Sequence, residues 1–226
     1  ALPKYQKEIE DAHNAMTDKG LWRSWGDANE YVAVILDNYL DLWTLNPIVY
    51  EGNPIGHGRI PRGGTHQGAY RAANGRAMLK TNDPQGYDLM VKFFHPYLTY
   101  TAELPLDFEG TFVIEFDPSR RYTYKSQHLR NVALRGTNDS NLLGNQHENI
   151  LKGNSGDNSL TGGGGNDELN GGDGNDMAVY SGSSSDYNVT KHEGFVTVAD
   201  KRQNRDGTDS LTGIESLQFS DKKVAL

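Results

Sequence analysis

The chain has 226 residues, 35% of them apolar and 10% aromatic, with mean hydropathy −0.70 and net charge −8; that is material for one or two domains with a modest core. It contains no cysteine, which excludes disulfides, thiolate chemistry and cysteine-based zinc sites. No apolar run is long enough to span a bilayer, no signal peptide opens the chain, and no basic patch offers a nucleic-acid footprint.

Residues 3–19 place Tyr5, Ile9, Ala12 and Met16 on one stripe before Gly20, which predicts an amphipathic helix with a glycine stop. Asp27 and Glu30 form a capping-box pattern ahead of Tyr31, Val32, Ile35, Leu36, Tyr39, Leu42 and Trp43, predicting a second helix that ends before Asn46-Pro47. From Pro47 to Gly75 the chain is rich in Gly, Pro and Arg and has no clear period; such a stretch is expected to be functional or mobile. Asp83 and Pro84 open a third helix through Tyr87, Met90, Val91 and Phe94, closing at His95-Pro96. Phe112, Ile114 and Phe116 alternate within a strand over 108–116, and 122–128 reads as another. Both lead into a repetitive segment and are expected to cap its open end, because a solenoid otherwise leaves an unpaired edge.

Composition changes near residue 130. All eight prolines lie at or before Pro118, while glycines crowd between Gly136 and Gly182. Asn131 to Leu226 carries 14 acidic and 8 basic residues, against 16 and 14 before it. The expected domains are therefore 1–130 and 131–226. Four nine-residue units follow one another from Gly144: GNQHENILK, GNSGDNSLT, GGGGNDELN and GGDGNDMAV, with a degenerate RGTNDSNLL before them. Leu142, Leu151, Leu160, Leu169 and Ala178 recur nine apart, so each unit supplies one short strand with one inward side chain that only a stacked neighbour can cover. The glycines free each turn to take positive φ and let its carbonyls converge, and the sixth residue brings a carboxylate or amide to the same place. All-oxygen sites of this kind suit a hard cation, calcium. The candidate metal ligands are Gly144, Asn149, Gly153, Asn158, Gly162, Gly163, Gly164, Gly165, Asp167, Gly171, Gly172, Asp173, Gly174 and Asp176.

These units resemble the repeats-in-toxin (RTX) family, whose motif is GGxGxDxUx with U a large apolar residue. The resemblance implies a parallel β-roll with two units per turn and an ion between units n and n+2. Asn149 is thereby paired with Asp167, and Asn158 with Asp176, giving about two calcium ions. It also implies secretion, with a type I export machinery as partner. After the repeats, AVYSGSSSDYNVT, GFVTVAD and DGTDSLTGIESLQFSD read as strands. They resemble the tail that closes the roll in serralysin-type proteases, with Tyr180, Tyr187, Val189, Val196, Val198, Leu211, Ile214, Leu217 and Phe219 as its core. Asp206 and Asp209 in the DGTD turn read either as an ion site or as an Asx-turn. The fold class expected is α+β: a mixed helical and β N-terminal region, a parallel β-roll, and a β-rich cap.

For the first 130 residues two readings stay open. HExxH is absent, and so is GxSxG, so neither the zinc-hydrolase nor the serine-hydrolase signature is complete. This favours a binding or accessory module of an extracellular protein. The alternative is a metal-dependent hydrolase, or a fragment of one, since the chain opens on Ala1 and is expected to be processed or an excerpt. Its candidates are the loop residues His57, Arg59, Arg62 and His66, otherwise a surface loop paired with acids, and Glu30. Glu30 sits in a segment that resembles the third-ligand helix of gluzincin-type proteases and otherwise serves as a helix-capping glutamate.

Overall fold

A computed structural model describes residues 3–22, 27–42, 70, 72–73, 75–108, 110–117 and 127–226. The chain divides into two compact units, 1–97 with 117–128 and 98–116 with 129–226.

In the first unit, α1 (Gln6–Asp18) and α2 (Ala28–Tyr39) form where the apolar spacing predicts them. The Asp27 carboxylate accepts the N–H groups of Asn29 and Glu30, which answers two of the donors that a helix start leaves open. α2 stops at Tyr39, short of the predicted end, and Asp41 follows with φ 54°. The short α3 (Arg76–Asn82) falls within residues given no element by the sequence; α4 (Pro84–Phe93) starts at Asp83-Pro84 as expected. Ile9, Ala12 and Met16 of α1, Tyr31, Val34, Ile35 and Tyr39 of α2, and Leu79, Leu89 and Met90 share one buried core with Trp22 and Tyr70. The loop bearing His57, Arg59, Arg62 and His66 lies outside the described residues, as does most of the strand expected at 122–128.

The second unit is a roll of two sheets. One contains β1 (Leu98–Glu103), β3 (Leu129–Arg135), β5 (Ile150–Lys152), β7 (Glu168–Asn170), β11 (Thr208–Thr212), β10 (Val196–Asp200) and β9 (Tyr187–Lys191), in that order. The other runs β13 (Lys223–Ala225), β12 (Ser216–Gln218), β8 (Met177–Val179), β6 (Asn158–Thr161), β4 (Ser140–Leu143) and β2 (Thr111–Val113). Successive units alternate between the sheets, so partners within a sheet are two units apart: Leu142 faces Leu160 and Leu151 faces Leu169, in parallel register. The inward column continues past the repeats, with Leu169 opposite Leu211 and Ala178 opposite Leu217. At the other end Val132 faces Leu151 and Phe112 faces Leu142. Leu142, Leu151, Leu160 and Leu169 are essentially inaccessible, and each contributes roughly 1.5–3 kcal/mol by leaving water. β1 and β2 continue the two sheets at the N-terminal end, and the β9–β10 hairpin and β13 flank them at the other.

Candidate metal centre

The turns of the roll stack along its two edges. Residues 144–149 and 162–167 lie on the first, 153–158 and 171–176 on the second. Backbone groups tie the rungs together, Gly144 N–H donating to Thr161 O at 2.8 Å and Gly153 N–H to Asn170 O at 2.8 Å. The third and fourth turns need glycine: Gly163 and Gly165 have φ of 96° and 109°, and Gly172 and Gly174 104° and 124°, a region closed to most side chains. A β-carbon on Gly163 would stand 2.3 Å from Asn145 O, and one on Gly172 2.2 Å from Asn154 O. Gly164 packs near Arg205 O, and Asp173 is exposed at the tip of its turn.

The sixth-position side chains each fold back over the first glycine of their own turn. A β-carbon on Gly144 would be 2.4 Å from Asn149 Oδ1 and 2.1 Å from the Gly162 carbonyl oxygen of the next rung. On Gly153 it would be 2.1 Å from Asn158 Oδ1 and 2.2 Å from Gly171 O. Each rung thus presents a side-chain oxygen of one turn beside a carbonyl oxygen of the turn two units later. The predicted pairs are brought together by direct bonds as well, since Asn149 N–H donates to Asp167 Oδ1 at 2.7 Å and Asn158 N–H to Asp176 Oδ1 at 2.7 Å.

The asparagines and the aspartates differ in how their remaining atoms are used. Asn149 Oδ1 accepts from Asn145 N–H at 2.8 Å, and its amide donates to Arg130 O at 2.8 Å. Asn158 Oδ1 accepts from Asn154 N–H at 2.7 Å, and its amide donates to Asn154 Oδ1 at 3.0 Å. By contrast Asp167 Oδ2 and Asp176 Oδ2 are buried without any hydrogen-bond partner. A buried, unanswered carboxylate oxygen is costly unless a cation or a proton meets it. Burial accordingly pushes the Asp167 carboxyl up to about 7 and that of Asp176 up to about 6. Among the described residues no three His, Cys, Asp or Glu side chains gather as a metal site, so backbone carbonyls have to complete any coordination shell. That donor set, oxygen only and partly main-chain, fits calcium.

The pattern of the RTX calcium-binding nonapeptide repeat matches residues 143–178 in four copies. Residues 143–178 are RTX repeats. The RTX segment binds calcium, and the parallel roll around it is the fold expected of such repeats. No curated protein matches the chain in sequence. Among solved structures, the extracellular lipase LipA from Serratia marcescens matches at 19% identity over 36% of this chain and 14% of its own, with a TM-score of 0.20.

Beyond the RTX segment, sequence reasoning passed over Glu215 and left Asp209 open. Asp167 N–H donates to Asp209 Oδ1 at 2.9 Å and Asp176 N–H to Glu215 Oε2 at 2.6 Å, repeating the bonds between the earlier rungs. The missed signal is a triplet: from Leu151 onward, an acid or amide stands two residues before each inward side chain of the parallel column. Asp167-Glu168-Leu169 has this form, and so do Asp209-Ser210-Leu211 and Glu215-Ser216-Leu217. Asp206 has a structural place instead, its carboxylate accepting from Ser181 N–H at 2.9 Å, Ser181 Oγ at 2.7 Å and the Tyr187 hydroxyl. Glu30 is a first-turn residue of α2 whose N–H is held by Asp27.

Burial raises Asp209 too, to about 8. The three raised carboxyls give the calcium-free roll a definite pH dependence. Their folded pKa values exceed the unfolded value near 3.8, so between about pH 4 and pH 8 the folded state holds more protons than the unfolded one. Stability without calcium therefore falls as pH rises through that window. Calcium affinity rises over the same window, because the ion displaces those protons. In chelator, the thermal midpoint of the second unit is expected to be higher at pH 5.5 than at pH 8; a flat or rising profile would contradict the burial argument.

Proposed function

We propose that the chain is the calcium-folded portion of a secreted protein, exported by a type I machinery, with the first 130 residues as a binding or accessory module. The observation that carries this reading is the pair of buried, unpartnered oxygens, Asp167 Oδ2 and Asp176 Oδ2, in turns that match calcium-binding repeats. The residues assigned to hold the ions are the turn glycines and sixth-position side chains of the four units, Asn149, Asn158, Asp167 and Asp176 among them. Bound calcium supplies positive charge and several simultaneous oxygen contacts. The chain's own part is to bring carbonyls and carboxylates together only when the turns are stacked. At cytoplasmic calcium levels, Asp167 and Asp176 oppose closure of the roll, because each buries one carboxylate oxygen, Oδ2, that gains no partner. An open chain is what export of an unfolded polypeptide requires. Outside the cell, calcium at about millimolar concentration binds the folded form alone and shifts the equilibrium by mass action.

Circular dichroism and limited proteolysis of the whole chain, at submicromolar and at millimolar calcium, test the proposal. Residues 98–116 and 129–226 are expected to be cleaved faster and to hold less β-structure in chelator than in calcium, and to become resistant on adding calcium but not equimolar magnesium. Equal resistance in both buffers would overturn it.

A further inference from the structure

The repeats stop at Val179, yet the ladder of oxygens does not. A β-carbon on Gly171, the first residue of the last unit, would stand 2.3 Å from Asp176 Oδ2 and 2.0 Å from the carbonyl oxygen of Gly213. This is the same pairing as Asn149 Oδ1 with Gly162 O and Asn158 Oδ1 with Gly171 O, except that the carbonyl comes from the cap and the side-chain oxygen has no partner. Gly171 N–H donates to Thr212 O at 3.0 Å, as Gly144 N–H does to Thr161 O, so the segment 212–215 occupies the position of a fifth turn. Glu215 then answers Asp176 N–H in the way that Asp176 answers Asn158 N–H. On the other edge the ladder of acids also continues into the cap. Segment 205–209 lies against the third turn: a β-carbon on Gly207 would stand 1.7 Å from Gly165 O, and Thr208 N–H donates to Asn166 Oδ1 at 2.9 Å. Asp209 answers Asp167 N–H, and Asp167 Oδ2 is the second unpartnered buried oxygen.

We infer that the C-terminal cap supplies the last rung of the calcium ladder on both edges, completing one site from Asp176, the Gly213 carbonyl and Glu215, and another from Asp167 and Asp209. On the rungs before them, asparagine offers a neutral amide oxygen in place of a carboxylate. The Asn149 and Asn158 amides carry their own donors, and these close the turn through Arg130 O, Asn145 and Asn154. A carboxylate has no donor to offer, so the burden of charge falls at the cap end. There each rung carries two acids, where the pairs Asn149–Asp167 and Asn158–Asp176 carry one. More anionic ligands raise calcium affinity.

This inference rests on the calcium-folding reading, and its test separates the two. Calcium titration by isothermal calorimetry is run on the whole chain and on Glu215→Gln, Asp209→Asn and Glu193→Gln. Glu215 is exposed, and glutamine keeps an acceptor for Asp176 N–H, so this variant changes charge with the least disturbance of the fold. Glu193→Gln removes the same charge from the exposed turn between β9 and β10. The expected result is a loss of affinity of about tenfold or more, or loss of one binding event, in Glu215→Gln and again in Asp209→Asn, with Glu193→Gln matching the parent. Far-ultraviolet circular dichroism at saturating calcium checks that each variant folds; if Asp209→Asn does not, Glu215→Gln alone decides. A parent that binds calcium while both rung variants keep its affinity and stoichiometry overturns the cap rung and leaves calcium folding intact. A parent that binds none overturns both.

Discussion

In chelator at pH 7.5, Asp176→Asn is expected to raise the thermal midpoint of the roll; in millimolar calcium the same substitution is expected to lower it. Without the ion, Asp176 buries a carboxylate with one oxygen unanswered, and its pKa of about 6 measures the cost of keeping it charged. Against an unfolded value of 3.8, that is roughly 2–3 kcal/mol at neutral pH. Asparagine removes the charge and keeps an acceptor for Asn158 N–H, as Asn149 and Asn158 keep their turns closed one rung earlier. With calcium present, losing the filled site costs its linkage energy, about 4.1 kcal/mol at a thousand times its Kd, which exceeds the gain from removing the charge and leaves the variant lower by roughly 1–2 kcal/mol. Each effect amounts to a shift on the order of 5–10 °C. A shift of the same sign in both buffers would show that Asp176 does not answer to a cation.

Asp83→Ala is expected to unfold the helical unit or leave it destabilised by about 3–5 kcal/mol. Asp83 is fully buried and accepts three hydrogen bonds, from the Tyr31 and Tyr70 hydroxyls at 2.7 Å each and from Gly86 N–H at 3.0 Å. One carboxylate thereby caps α4, holds α2 through Tyr31, and ties in Tyr70. Burial, and then the carboxylate beside them, raises the pKa of both hydroxyls well above the usual range. Alanine strands two phenol groups and a helix N–H away from water. The arrangement is tight enough that a β-carbon on Gly86 would stand 2.6 Å from both Asp83 Oδ2 and Tyr31 Oη. Urea melts followed by helical circular dichroism measure the loss, with Tyr70→Phe as the milder companion at about 1–2 kcal/mol. An Asp83→Ala midpoint within error of the parent's would mean that the buried triad contributes nothing net.

The repeat segment was the most legible part of the chain, because one inward residue in nine leaves a period that side-chain identity alone reveals. Its inward column follows from that spacing, while the alternation between sheets and the pairing of Asn149 with Asp167 were implied by the resemblance to RTX repeats. The two cap rungs were hidden because the β9–β10 hairpin intervenes, so Asp209 and Glu215 fall off the nine-residue count although they keep the acid-x-Leu triplet. Helix starts at Asp27 and Asp83 were legible, since a capping side chain is a local choice. The short α3 buries only Leu79 and has no periodic stripe to read. Strand β1 was missed for a related reason: apart from Ala102 its side chains are exposed, so nothing alternates along it. Asp83 could be assigned a capping role from its neighbours, but its two tyrosine partners lie 52 and 13 residues before it, and no local pattern announces them.

The bonds that the sixth-position N–H groups make between rungs all run one way. Asn149 leans on Asp167 and Asp167 on Asp209; Asn158 leans on Asp176 and Asp176 on Glu215. In each case the later residue provides the acceptor, so Asp209 and Glu215, at the foot of this ladder, are made after the donors they answer. A growing polypeptide has these donors in place before their final acceptors exist, and cannot close this ladder until Glu215 has been made. A chain that emerges through a pore with its C-terminus leading meets the opposite order: the footing arrives first, and each turn that follows is laid on a finished one. The order in which donors and acceptors become available, as well as calcium, then bears on when the structure sets.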